Sequence, residues 1–215
     1  GGGSEDLSRN GGSGGSGVVI LRFTPVAPTA VAGVESATVS WDAPTGGTPE
    51  SYEFTSSTDG STCTVDAPEP PETKAECEVP NLTPGTSYTF TVEITYEGGT
   101  TQTSIASNAV VPYGPLTDFV IEASAGGNIG TQTAGTAFTV KITAKDEGGR
   151  TVENFDGTVD LSSTSLFAAA GGGGGTTPTF TNGVLSPHSV TLVRAGTAQT
   201  LTATRSTGGA QTGTS

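Results

Sequence analysis

Few side chains in this sequence could perform chemistry, and His188 is the single histidine among them. It follows Pro187 in a predicted turn, with no cysteine nearby and no serine and aspartate at the spacing of a catalytic triad. The glycine run 171–175 precedes no predicted helix and lacks a following Lys-Ser or Lys-Thr, so it does not match a phosphate-binding loop. We predict no catalytic residue, no cofactor and no enzymatic activity.

Five carboxylates in the second half of the chain could place oxygen ligands around a Gly-Gly turn at 148–149: Asp146, Glu147, Glu153, Asp156 and Asp160. A weak calcium site needs such a set of oxygens, but the spacing is not that of an EF-hand and does not repeat. We therefore expect a solvated acidic surface and no metal site, with a weak calcium site left open.

The two cysteines, Cys63 and Cys77, lie in stretches of alternating polar and apolar residues. Neighbouring strands would bring their sulfurs within bonding distance, whereas the alternative is a pair of free buried thiols. A disulfide that closes a loop of about 15 residues would contribute about 3 kcal/mol and persists in an oxidising compartment. We predict this disulfide, and with it an extracellular or cell-surface location.

Composition and charge also limit the partners. The 215 residues carry 8 basic against 21 acidic side chains, for a net charge of −13, which repels nucleic acid and anionic membranes. No apolar run reaches about 18 residues, so we expect no membrane span. Because Gly1 is neither an initiator methionine nor part of a signal pattern, the chain is expected to be processed or excised from a longer protein.

The elements that must position these residues are predicted to be strands, because Thr, Val, Gly and Pro are abundant and no helical period persists. In the first half, Trp41 shares an apolar face with its alternate neighbours, and positions 88–94 alternate regularly between apolar and polar. The strands predicted for both halves are 36–42, 50–57, 61–66, 75–79, 86–96, 101–110, 118–123, 136–146, 156–163, 178–186, 189–194 and 197–205.

Three motifs in the first half are WDAP at 41–44, LTPGTSY at 82–88 and SNAV at 107–110. With them, residues 25–112 resemble a fibronectin type III domain. The resemblance implies that Trp41 and Leu82 belong to the core and that the Tyr88 hydroxyl bonds to backbone near a Pro-Gly turn, as a tyrosine corner. The cysteine pair is not part of the general family pattern but is similar to that of a bacterial secreted subset.

Residues 113–215 resemble the immunoglobulin-like repeats of bacterial surface proteins, through AGTAFTV at 134–140, FDGTVDL at 155–161, TNGV at 181–184 and AGT at 195–197. Such repeats finish with one more short strand of alternate apolar residues. The chain ends instead in a Gly/Thr/Ser tail, so this last strand is expected to be missing. The predicted fold is all-β: two tandem immunoglobulin-like β-sandwiches with a Gly-rich N-terminal segment and an extra N-terminal strand.

Residues 1–24 combine a Gly/Ser-rich leader with a β-prone strand at 18–24 that has no partner nearby in sequence. Residues 14–23 resemble the end of a glycine-rich bacterial surface domain. Such an apolar strand needs a sheet, and a strand that pairs with the open edge of a neighbouring copy builds a head-to-tail polymer. The assembly residues would be Val18, Val19, Ile20, Leu21 and Phe23. The alternative is a slice of a longer chain whose flanking domains supply the partners.

These observations predict a structural or adhesive subunit of a bacterial extracellular filament or surface appendage. The alternative is a non-catalytic spacer or carbohydrate-binding accessory region of a larger secreted enzyme, because fibronectin type III modules are common there. Carbohydrate binding favours a platform of exposed aromatics, and the chain has four Tyr and one Trp, of which Trp41 and Tyr88 are assigned to the core. The first reading is therefore preferred.

Overall fold

The computed structural model describes residues 26–42, 48–67, 74–169 and 171–215. Within these ranges the secondary structure is β throughout and includes no helix, which confirms the predicted all-β class. The strands are β1 (Thr29–Ala32), β2 (Ala37–Asp42), β3 (Pro49–Ser56), β4 (Thr62–Asp66), β5 (Lys74–Val79), β6 (Phe90–Tyr96), β7 (Thr101–Thr103), β8 (Leu116–Ala123), β9 (Phe138–Asp146), β10 (Val159–Ser163), β11 (Gly175–Thr176), β12 (Val184–Val190), β13 (Leu201–Arg205) and β14 (Thr212–Thr214).

Strands β1 to β7 form the N-terminal sandwich, whose two antiparallel sheets have the orders β1-β2-β5 and β4-β3-β6-β7. Alternation explains the core between them, because every second residue of β2 and β6 points inward. Trp41 of β2 is 2% exposed, and Phe90, Val92 and Ile94 of β6 are fully buried. The period-2 pattern in the sequence therefore specifies which face of each strand is buried.

The segment predicted as one strand at 101–110 is instead a short β7 followed by irregular backbone. Ser104 and Ser107 are the reason, because their hydroxyls accept hydrogen bonds from the N–H groups of Val92 (2.8 Å) and Phe90 (2.9 Å). These buried serine side chains take part in the pairing with β6 that a regular ladder would otherwise supply. A serine hydroxyl that replaces a backbone partner does not alter the spacing of apolar residues, so this spacing could not predict the end of β7.

Strands β8 to β14 form the C-terminal sandwich, with sheet orders β12-β9-β8 and β11-β10-β13-β14. Phe119, Phe155 and Phe180 meet between the sheets, with ring centroids 5.0 to 5.9 Å apart in edge and tilted arrangements. Such contacts stabilise beyond area burial by about 0.5–1.5 kcal/mol per pair. Val159 and Leu161 of β10 face Val140 and Ile142 of β9, as the alternation predicts.

Two predicted strands of the second half, 178–186 and 189–194, are wrong. A single strand, β12, runs from Val184 to Val190 and pairs with β9 through a bulge between Leu185 and His188. Pro187 lies in this bulge, where its missing N–H removes no ladder bond. His188 is therefore a strand residue and does not occupy the turn predicted from Pro187.

The tail also differs from the expectation that it lacks a strand. Thr212–Thr214 forms β14, which pairs with β13 so that Thr212 lies opposite Thr204 and Thr214 opposite Thr202. A Cβ atom at Gly213 would overlap the carbonyl oxygen of Phe119 in β8. Only glycine therefore fits at this position, where β14 lies close to β8. Because this strand carries Thr and Gly and no alternating apolar residues, hydrophobic periodicity could not reveal it.

Strand β1 was not predicted, and its outer edge is covered by one side chain. Asn108 uses its amide as a peptide group would: its Oδ1 accepts from Ala30 N–H and its Nδ2 donates to Ala30 O, both at 2.9 Å. The pair satisfies both backbone groups of Ala30, which is 4% exposed, and closes an edge otherwise open to pairing with other chains.

Replacement of Asn108 by Ala should therefore lower the free energy of unfolding of the N-terminal sandwich by about 2 kcal/mol, since two partly buried backbone groups lose their partners. Urea denaturation followed by Trp41 fluorescence measures this loss. Asn108→Asp retains the acceptor but sets a carboxylate oxygen against Ala30 O, so it should lose at least as much stability as Asn108→Ala. Equal stability of Asn108→Ala and wild type would contradict the role assigned to Asn108.

Candidate functional site

The side chains predicted to be capable of chemistry do not converge in the structure. His188 Nε2 lies 2.8 Å from the carbonyl oxygen of Gly173, a contact that joins β12 to the glycine run. That run is closely packed, because a Cβ atom at Gly173 would meet Ser189 O and one at Gly174 would meet the ring of Phe167. Close packing of backbone accounts for the glycines at these two positions.

The five carboxylates considered as calcium ligands differ in exposure and do not form one site. Among the described residues, no three His, Cys, Asp or Glu side chains gather as a metal site requires. Glu147, Glu153, Asp156 and Asp160 are exposed, whereas Asp146 is 3% exposed and turns inward. Asp146 therefore has a different partner, which lies in the connection between the two sandwiches.

The predicted disulfide between Cys63 and Cys77 is confirmed, with the Cα atoms 6.3 Å apart. The two cysteines do not lie on paired strands, however. Cys63 belongs to β4 at the edge of one sheet, and Cys77 belongs to β5 at the edge of the other. The bond therefore joins the two sheets of the N-terminal sandwich along one side.

The connection between the sandwiches is residues 111–115, and backbone hydrogen bonds join it to residues 33–36 between β1 and β2. Val34 pairs with Tyr113 in a parallel bridge, in which Glu35 N–H donates to Tyr113 O at 2.8 Å and Tyr113 N–H donates to Gly33 O at 3.2 Å. The connection thus runs beside the N-terminal sandwich as a short extra strand. We call the residues that fix it the joint: Val34, Gly85, Tyr113, Gly114, Asp146 and Arg150.

Tyr113 supplies the apolar part of the joint. Its side chain is 4% exposed and packs into the core of the C-terminal sandwich, and Ala32 and Val34 of the N-terminal sandwich pack against the same core. The hydroxyl accepts a hydrogen bond from Asn154 N–H at 3.2 Å, and burial raises the pKa of the phenol, so it stays neutral. Residues on both sides of the connection therefore share one hydrophobic core.

Asp146 supplies the polar part. Its Oδ2 accepts from Gly114 N–H in the connection, and its Oδ1 accepts from Arg150 N–H in the turn after β9, both at 2.7 Å. The side chain is 1% exposed; its charge-assisted bond to Gly114 is buried and the one to Arg150 is partly buried. One carboxylate thus holds the connection against the β9 turn.

The pKa of Asp146 reflects these contacts. Burial of the carboxyl opposes ionisation and acts to raise the pKa. The N–H donors of Gly114 and Arg150, together with the Arg150 guanidinium, outweigh burial and hold the pKa below its ordinary value. The folded C-terminal sandwich therefore favours the ionised form of Asp146.

Tyr88 and Leu82 lie where the first sandwich approaches the joint. Leu82 is 1% exposed, and the Tyr88 hydroxyl accepts a hydrogen bond from Thr83 N–H at 3.0 Å, which is the geometry of a tyrosine corner. The family model for the Fibronectin type III domain matches residues 25–110. This stretch is a fibronectin type III domain. The fibronectin type III resemblance predicted from the three sequence motifs is therefore confirmed for residues 25–110.

Comparisons with curated proteins and with solved structures identify no function for this chain. No curated protein matches this chain. Among solved structures, the apo structure of Bacteroides uniformis beta-glucuronidase 3 is similar at 14% identity and a TM-score of 0.34, over 86% of this chain and 22% of that chain. This chain spans less than a quarter of that protein, and a likeness of this degree carries no argument about function. Membership of residues 113–215 in a bacterial immunoglobulin-like family, and of residues 14–23 in a glycine-rich one, stays a prediction.

The fibronectin type III domain contacts the joint through the turn of its tyrosine corner. Gly85 N–H donates to Pro112 O at 2.9 Å, and a Cβ atom at Gly85 would overlap the Arg150 guanidinium of the C-terminal sandwich. Arg150 Nη1 also lies 3.4 Å from Asp146 Oδ2, so one guanidinium reaches from the buried carboxylate to the other sandwich. The φ of +82° at position 85 favours glycine, and any side chain there would also displace the Arg150 guanidinium.

Sequence reasoning missed the joint as a site. Asp146 was grouped with its exposed neighbours, because a carboxylate that binds backbone N–H groups 32 residues away has no local signature. Tyr113 offered a signal, since an aromatic side chain between Pro112 and Pro115 is unusual for a solvated linker. The proposed assembly strand at 18–24 lies outside the described residues. Within the described ranges, no helix has the length and apolar character required to cross a membrane.

Truncation of Asp146 should destabilise the C-terminal sandwich strongly. Asp146→Ala leaves the buried Gly114 N–H and the partly buried Arg150 N–H without an acceptor, and we expect the free energy of unfolding to fall by about 3 kcal/mol. Chemical denaturation measured by circular dichroism tests this value. Glu147→Ala, which removes an exposed neighbouring carboxylate, is the matched control and should change stability by less than about 0.5 kcal/mol. Similar losses for the two variants would show that the Asp146 contacts contribute nothing particular.

The lowered pKa of Asp146 also predicts acid sensitivity. Because folding favours the carboxylate, its contribution is fully present above the unfolded pKa of about 4 and is lost as pH falls through the lower folded pKa. Asp59 and Glu122 also have lowered pKa values, so the wild type is compared with Asp146→Asn. The stability difference between the two proteins should shrink below about pH 4. A difference that is independent of pH would contradict the assignment.

Proposed function

We propose that this chain is a structural subunit of a bacterial extracellular filament or surface appendage, in which the joint holds the two sandwiches in one relative orientation. The observation that carries the proposal is the joint itself. Relative motion is the default for domains that meet through a small interface and a free linker. Here, backbone pairing, a shared core and a buried carboxylate bind the connection on both sides. Fixed geometry of this kind suits a component that spans distance or bears load.

The disulfide supports the extracellular location. Structural disulfides persist in oxidising compartments, and the Cys63–Cys77 bond joins an edge of each sheet of the N-terminal sandwich. The acidic net charge of −13 and the hydroxyl-rich strands fit the same environment, because both keep an exposed β protein soluble.

The alternative, an accessory region of a secreted enzyme, divides into two roles. A carbohydrate-binding role has little support, because the large apolar side chains exposed in the described ranges are aliphatic: Val26, Val31, Ile105, Val111, Leu166 and Val193. Stacking on a sugar ring needs an exposed aromatic face, whereas Trp41, Tyr52, Tyr88 and Tyr113 are buried and Tyr96 is half-buried. A spacer role shares the rigid joint with our proposal and differs from it in the absence of self-assembly.

Assembly distinguishes the two functions. We propose that residues 18–24 supply the strand that links one copy to the next, so the oxidised full chain should form filaments visible by negative-stain electron microscopy. A variant that lacks residues 1–24 should stay monomeric. The matched control lacks residues 1–17 alone, retains the apolar run and should still assemble. A full chain that remains monomeric at millimolar concentration would favour the spacer role and contradict the filament proposal.

A further inference from the structure

The first strand of the chain and the segment that leads into the connection run side by side in the same direction. Ala30 lies beside Asn108, with two hydrogen bonds of 2.9 Å between them, and Val34 pairs with Tyr113 in a parallel bridge. Both segments therefore advance together toward the C-terminal sandwich. We call the residues whose hydrogen bonds join the two segments the clamp: Ala30, Gly33, Glu35, Asn108 and Tyr113.

The path of the chain determines how tension would act on the clamp. The chain enters β1 from Val26 and leaves the connection at Leu116, where β8 begins. Tension along the chain therefore pulls the first segment at its beginning and the second segment at its end. Parallel segments pulled at opposite ends slide past each other, so the hydrogen bonds between them resist together. Segments pulled at the same end would separate one bond at a time.

The clamp is also anchored directly in the C-terminal sandwich. Tyr113 is part of the C-terminal core, and Ala32 and Val34 pack against that core from the other segment. Asp146 accepts a buried hydrogen bond from Gly114 N–H, one residue beyond the clamp. A load that enters at β1 can therefore pass into the C-terminal sandwich without crossing residues 37–107, which form the rest of the fibronectin type III domain.

We propose that the clamp is the element that bears tension in this chain, and that it keeps this tension off residues 37–107. The inference rests on the proposed function for the source of the tension, which is the pull of neighbouring copies in a filament, and deepens that function by naming the bonds that carry the load. Forced unfolding is governed by the rate at which the resisting bonds break. Loss of clamp bonds should therefore accelerate unfolding under force.

The disulfide supplies a signal that identifies the unfolding of this domain. Cys63 and Cys77 are 14 residues apart in sequence, with Cα atoms 6.3 Å apart, so an oxidised chain cannot extend between them. Fourteen extended residues span about 50 Å, and reduction should lengthen the released chain by about 44 Å. The unfolding step whose length grows on reduction is the step of the fibronectin type III domain.

Single full-length chains held at constant force between handles on Gly1 and Ser215 test the clamp. Asn108→Ala removes the acceptor of Ala30 N–H in the clamp, and Ser104→Ala, the matched control, removes the acceptor of Val92 N–H elsewhere in the same domain. We expect the identified step to be at least about tenfold faster in Asn108→Ala and close to wild type in Ser104→Ala. Equal acceleration by both variants would overturn the clamp.

A change of pulling direction tests the same bonds in the wild-type sequence of the clamp. A handle moved from Ser215 to Thr100→Cys, in the exposed turn before β7, pulls both segments from the end at which they begin. The domain should then unfold at least about tenfold faster at the same force, and equal rates in the two directions would overturn the clamp even if Asn108→Ala does not fold. Neither measurement involves assembly, so failure of the clamp leaves the filament proposal standing. Full chains that stay monomeric would overturn the filament proposal, and with it the source of tension, whatever the two rates are.

Discussion

The buried carboxylate of Asp146 is the contact on which the arrangement of the two sandwiches depends. A carboxylate that is 1% exposed must receive hydrogen bonds in compensation for lost water, and here the donors are Gly114 in the connection and Arg150 after β9. Because those donors belong to different segments, the need to satisfy one charge fixes the position of the connection. The Arg150 guanidinium then extends the same contact to Gly85 in the fibronectin type III domain.

The apolar and polar parts of the joint reinforce each other. Tyr113 buries its ring in the C-terminal core while its backbone pairs with Gly33 and Glu35 of the other sandwich. Displacement of the connection would thus expose an aromatic ring and break backbone bonds at the same time. This coupling makes the joint a part of both sandwiches, and it gives a physical reason for treating the pair as one mechanical unit.

Alternation in the sequence was sufficient to predict the strands whose one face is buried, such as β2, β6 and β9, because burial and period 2 coincide there. It failed where other interactions decide the structure. Serine hydroxyls replace a ladder after β7, a bulge at Pro187 merges two predicted strands into β12, and close approach to Phe119 selects glycine in β14. The polar contacts of the joint could not be predicted for the same reason, since they connect backbone groups to side chains distant in sequence.

The rigidity of the joint is the central claim, and residual dipolar couplings of the full chain test it most directly. If the sandwiches move as one body, the alignment tensors fitted separately to the fibronectin type III domain and to the C-terminal sandwich will agree in magnitude and orientation. A two-glycine insertion between Pro112 and Tyr113 should make them differ, whereas the same insertion in the exposed turn at Gly98 should not. Tensors of different magnitude in the wild-type chain would show that the sandwiches tumble independently, and this would contradict the account.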